Sequence, residues 1–161
     1  MLLKEFFAYK NKIMKMFCEN EDLVKLVVNQ EDADGLKMPY SYIYPFEFIP
    51  ETNDKGQTFI CYDVDIPEVD NDVICRPVIW IWIFTHKNLL HLPEGGVRTD
   101  KIAEVIDGIL NGNRDIGLGE LDLKTVARFS PQKDYQGRVL AYQAAETNRW
   151  GVHRQPPSRR R

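Results

Sequence analysis

Between Val78 and Phe84 the chain runs through seven apolar residues without a polar break, VIWIWIF. At strand period, Val78, Trp80, Trp82 and Phe84 fall on one face and Ile79, Ile81 and Ile83 on the other. A strand with one wet face alternates apolar and polar residues, so this pattern predicts cover on both sides. The preceding run, QTFICYDVDIP, predicts a strand over 57–66. It sets Phe59, Cys61, Asp63 and Asp65 on one face and Ile60, Tyr62, Val64 and Ile66 on the other. EVDND reads as an acidic loop between the two strands, which suits an antiparallel pair.

Upstream the period changes. Leu2, Leu3, Phe6, Phe7, Ile13, Met14 and Phe17 recur near helical spacing and predict a helix over 2–17. Asn20 suits the cap of a second short helix reaching about Asn29, with Leu23, Val24, Val27 and Val28 as its stripe. In YSYIYPFEFIPE, Tyr40, Tyr42, Tyr44, Phe46 and Phe48 alternate with other residues and predict extended chain with one aromatic face. Pro45 and Pro50 put that chain at a sheet edge or make it a strap.

Downstream, Ile102, Val105, Ile106, Ile109 and Leu110 form a helical stripe starting at Thr99 or Asp100 and stopped by Asn111, Gly112 and Asn113. GNRDIGLGEL opens a third β region. ELDLKTVARF places Leu121, Leu123, Thr125, Ala127 and Phe129 on one face. SPQKDYQG reads as a turn and GRVLAYQAAE as the second strand of a hairpin. Strands gathered in pairs predict an α+β fold, an antiparallel or mixed β-sheet packed by about three α-helices. One domain is expected over 1–148, followed by RWGVHRQPPSRRR, a basic, mobile tail over 149–161.

Charge sharpens that division. The chain carries −3 overall, and the tail holds Arg149, Arg154, Arg159, Arg160 and Arg161 with no acid, which leaves −8 on residues 1–148. A body this acidic argues against general nucleic-acid binding by the domain itself. Cys18, Cys61 and Cys75 are odd in number and lack CxxC spacing, so they read as free thiols in a reducing compartment. Lys4, Glu5 and Lys10 interrupt the first apolar residues, and no apolar run reaches the roughly 18 residues of a membrane span. The expectation is a soluble protein made in the cytoplasm, with no membrane partner.

Catalytic motifs are weak. Asp63 and Asp65 lie near Asp70 and Asp72, and such carboxylates serve a divalent metal in small nucleases or hydrolases, with His86 or Glu94 as helpers. Solvated acids that discourage edge pairing are the favoured reading. His86, His91 and Glu94 lack the helical spacing of a metalloprotease site, and His153 stands in the tail. No serine occupies a GxSxG elbow, and Gly112, Gly117 and Gly119 do not form a phosphate loop. No catalytic residue, metal or cofactor is assigned, and the expected class is not an enzyme. The tail arginines suit phosphate contact or, more simply, solvation.

The acidic strand, the long apolar strand, the helix TDKIAEVIDGILNG, the turn IGLGELDL and the segment YQGRVLAYQAAETN together resemble the tail terminator and neck (tail-completion) proteins of tailed phages and phage-derived tail-like particles. The resemblance covers roughly residues 57–148, and head-closure or connector proteins are near neighbours. It implies an α+β fold and a homo-oligomeric ring of six copies that caps the tail tube. It also implies a tail tube protein and a neck, connector or sheath protein as partners, transient contact with passing DNA, and a place in the virion or phage-like particle after synthesis in the host cytoplasm. Trp80, Trp82 and Phe84 are the candidate packing and interface residues. Segment 112–120, with Arg114 and Asp115, and the acidic loop, with Asp70 and Asp72, are candidate partner contacts.

Overall fold

The computed structural model describes residues 5–51, 56–66, 69–70, 74–116, 119–144 and 146–147. The fold is α+β. Helix α1 spans Glu5–Glu19, α2 Glu21–Val28 and α3 Arg98–Leu110. The strands are β1 (Ile43–Tyr44), β2 (Thr58–Asp65), β3 (Val69–Asp70), β4 (Ile74–Cys75), β5 (Val78–His86), β6 (Asp122–Gln132), β7 (Tyr135–Gln143) and β8 (Glu146–Thr147). The main sheet has the order β1-β2-β5-β7-β6, with β1 parallel to β2 and the other neighbours antiparallel. It is therefore a mixed sheet with β5 at its centre.

β3, β4 and β8 form a second, three-stranded sheet. Its register shows what it is. Val78 pairs with Gln143 in the main sheet, and Cys75 with Glu146 and Ile74 with Thr147 in the small one. The small sheet prolongs the β5–β7 ladder, and β3 prolongs the β2 side. The acidic stretch read as a loop thus includes a short strand. Asp70 pairs in register with Ile74, while Asp72 lies outside the described residues, as does the basic tail.

The helices cover one face. Ile13 and Phe17 of α1, Leu23 and Val27 of α2, and Ile102 and Ile106 of α3 pack on Ile60, Tyr62, Ile79, Ile81, Ile83, Leu140 and Tyr142. Asn20 caps α2 as expected, its side chain accepting from the Leu23 N–H at 2.9 Å. Asn29 ends α2 in the left-handed conformation. Removing this face from water supplies most of the driving force, at about 1.5–3 kcal/mol per large apolar side chain.

Two expectations need correction. The hairpin turn is tighter than SPQKDYQG suggested: β6 continues to Gln132 and β7 begins at Tyr135, so the turn is Lys133–Asp134 and Gly137 lies inside a strand. A Cβ on Gly137 would approach the Ile83 carbonyl oxygen to 1.7 Å, which is why glycine stands there. In β6 the register shifts between Leu123 and Thr125. That bulge puts Leu123 against the helix-side core, while Thr125, Ala127 and Phe129 point to the other face. An unbroken alternation missed the extra residue, Lys124.

Arg98 opens α3 although helix N-termini disfavour cations. It is 3% exposed. Its guanidinium donates to the carbonyls of Leu89 (2.7 Å) and Leu26 (2.7 Å) and to Asn29 Oδ1 (2.8 Å). Arg98 thus closes the C-terminal turn of α2, and its burial lowers its pKa. Arg98→Met leaves those acceptors without partners and should cost about 2–4 kcal/mol, a fall in Tm of roughly 5–15 °C. Arg98→Lys should recover only part of it, because one ammonium cannot serve three diverging acceptors. Thermal melts followed by circular dichroism check both.

Candidate interaction face

The second face of the sheet has a different cover. After β1 the chain crosses it as an aromatic strap over 44–50. Tyr44 stacks on Phe48 with ring centroids 4.1 Å apart, and Phe48 meets Phe59 at 5.5 Å. Under the strap lie Phe59, Cys61, Phe84 and Tyr135, with Phe129 and Trp82 at the margin. Lys10 Nζ donates to the Pro45 carbonyl (2.9 Å), the Gln132 amide to the Pro50 carbonyl, and Cys61 Sγ to the Phe48 carbonyl (3.7 Å). These bonds fasten the strap at both ends and in the middle. Burial pushes the Cys61 thiol up to about 12, so it stays protonated at neutral pH and serves as core. The single aromatic face expected over 40–48 is divided. Tyr42 packs with the helix-side core, and Tyr40 turns out at φ 58° and is 63% exposed.

The strap reaches only the Phe84 end. Phe84 is 1% exposed, whereas Trp80 and Trp82 are partly buried and stack on each other at 6.4 Å with planes 19° apart. Register sets Asp63, Trp80, Ala141 and Thr125 in one row and Cys61, Trp82, Val139 and Ala127 in the next. Thr125 and Ala127 are exposed and Val139 is partly buried. This half of the face is an apolar strip rimmed by β6, which ends the sheet among the described residues.

β6 is eleven residues long. Lys124 at the bulge, Arg128 and Pro131 guard parts of it, as such residues do on edge strands. Between them run Thr125, Val126 and Ala127, all uncharged and exposed, with Val126 at 56%. Periodicity could not single out this edge, since strand order is set by tertiary pairing. The signal present in the sequence was the small, uncharged TVA between two basic residues.

The other candidates lie elsewhere. Arg114 is exposed and paired with Glu120, which raises its pKa. The Asp115 carbonyl accepts from Lys12 of α1 at 3.1 Å, and Ile116 is buried. That turn belongs to the helix side and does not join the tryptophan strip. Asp63 forms an ion pair with Lys10 at 2.6 Å, and Asp65 is exposed. His86 is buried beside Tyr135, its Nδ1 accepting from the Asn88 N–H, while His91 and Glu94 are exposed. Among the described residues no three His, Cys, Asp or Glu side chains gather as a metal site would require. A groove between α2 and α3, lined by Lys25, Glu31, Glu94, Lys101 and Glu104, carries mixed charge, and the arginine in its wall is committed to α2.

A family model described as YomW matches residues 11–144, from within α1 through the end of β7. The chain belongs to the YomW family. That name has the form given to prophage gene products, so the protein is phage-related. The match takes in the later part of α1, all of α2 and the strap, segments that the tail-terminator resemblance did not cover. No curated protein matches the chain. Among the described residues no helix is long and apolar enough to cross a membrane.

The two faces of β5 should respond differently to the same change. Ile81→Asp would place a carboxylate at a site with no exposure, and loss of the cooperative melt is expected. Trp80→Asp, at the open strip, should keep a native circular dichroism spectrum with a loss of about 1–3 kcal/mol. Chemical denaturation of both variants measures the contrast.

Proposed function

We propose that this YomW-family chain is a structural, non-enzymatic protein that assembles from like copies into a closed ring. Six copies is the number implied by the tail-terminator resemblance. In that role the ring caps the tail tube of a phage or phage-like particle and joins it to the neck, with a tube protein on one side and a neck, connector or sheath protein on the other. A head-closure ring is the neighbouring reading.

The observation that supports assembly is the partly covered Trp80–Trp82 strip beside β6, which ends the main sheet among the described residues. A heterologous contact, in which one patch meets a different patch on the next copy, closes into a ring when the rotation permits. Covering the residual indole surface is worth on the order of 1–4 kcal/mol per copy. That is modest for one contact and substantial when repeated around a ring. The acidic body, at −8 without the tail arginines, would repel phosphate and let DNA pass without sticking.

Native mass spectrometry and light scattering test the reading. The wild-type chain should show a closed multiple of 18.8 kDa. The double variant Trp80→Asp/Trp82→Asp should fall to the single-chain mass with its secondary structure intact. A wild-type protein that stays monomeric at high concentration, or a double variant that assembles normally, would sink the proposal.

A further inference from the structure

We propose that residues 148–161 of one copy lie across the Trp80–Trp82 strip of the neighbouring copy, as an arm exchanged around the ring. This rests on the assembly reading above and names what completes the tryptophan face.

The first argument is direction. β8 carries on the β5–β7 ladder through the pairs Cys75–Glu146 and Ile74–Thr147. β8 itself is therefore directed beyond the end of the main sheet, away from Trp80 and Trp82 of the same chain. The fourteen residues that follow can span up to about 46 Å when extended, enough to reach an adjacent copy.

The second argument is how this surface is covered where it is covered. On the Phe84 half, the cover is an extended segment carrying Pro45 and Pro50 that lays side chains on aromatic rings without becoming a sheet strand beyond Tyr44. The arm holds Pro156 and Pro157 in QPPSRRR. Prolines favour extended backbone and remove donors that would need a partner, and aromatic surfaces are common seats for such segments.

The third argument is charge. Among the described residues, the charged groups at the margin of the strip include Asp63, paired with Lys10, Asp122, paired with Lys124, and the exposed Asp65 and Arg76. The indoles of the strip offer faces to cations, and Asp65 adds a carboxylate at its margin. The arm brings five arginines and no acid. Arginine suits both tasks, since its planar group stacks on rings and bonds carboxylates.

The test uses the full-length chain with a benzoylphenylalanine photo-crosslinker in place of Thr125, which is exposed beside the strip. Unlabelled and isotope-labelled chains are mixed, assembled and irradiated, and the products are digested and mapped. Cross-links from position 125 into residues 148–161 of the other isotopic copy are expected. They should fall several-fold when Arg154, Arg159, Arg160 and Arg161 become serine, and at about 0.5 M salt, where such charge contacts are screened. Cross-links to the arm of the same chain, or only to other parts of the neighbour, would overturn the proposal. If the substitution at Thr125 impairs folding, position 127 offers the same vantage. Native mass of the same sample separates the two readings. A ring whose cross-links avoid the arm ends this inference and leaves assembly standing, whereas a monomeric chain ends both.

Discussion

A strand that is apolar on both faces must be covered on both faces, and β5 imposes that demand on the whole molecule. Ile79, Ile81 and Ile83 take all three helices. Phe84 takes the strap, tied down by Lys10, Gln132 and Cys61. Trp80 and Trp82 take what is left, and within the described residues their cover is partial. The order of the elements follows from this. Two helices precede the sheet, a third crosses back between β5 and β6, and among the described residues the strap is the extended segment that reaches the second face. Total stabilities of about 5–15 kcal/mol leave little room for exposed indoles, so surplus apolar surface tends to find a partner.

The same demand explains where polar groups are spent. Arg98 is buried to close α2, which holds that helix in register against α3 and the sheet. Tyr62 donates to the Lys10 carbonyl at 2.7 Å, and Tyr142 to Asp107 of α3 at 2.9 Å. These bonds stitch the helical layer to the sheet. On the other face, among the described residues, such ties are those of the strap and the Lys10–Asp63 ion pair beside Trp80. The strip is bounded by a strand, β6, whose middle is small and uncharged. A well-anchored layer therefore backs a surface whose cover, among the described residues, is partial.

Much of the architecture was legible in the chain. Period-2 alternation in β2 gave its facing residues, because both faces are buried by different layers and each residue type matches its layer. Asn20 and Asn29 bounded α2 because capping is a local interaction. The β6 bulge, the tight Lys133–Asp134 turn and the start of α3 at Arg98 were not legible, since each depends on contacts distant in sequence. Arg98 is the clearest case: its role is set by Leu26 and Asn29, some seventy positions away. The phage connection was visible as texture, and the family match over 11–144 places the chain in a phage-related family. The tryptophan pair was legible as a problem of cover. Only the fold showed that the strap covers Phe84 and stops short of Trp80.

The central claim is that the strip and the β6 edge are finished by another copy. Hydrogen–deuterium exchange across a dilution series tests it most directly. Amides of 124–129 should exchange slowly at high concentration and markedly faster on dilution, while those of α2 and the buried β5 keep their protection throughout. Protection along β6 that is the same at every concentration, in a protein whose mass remains that of one chain, would contradict the account.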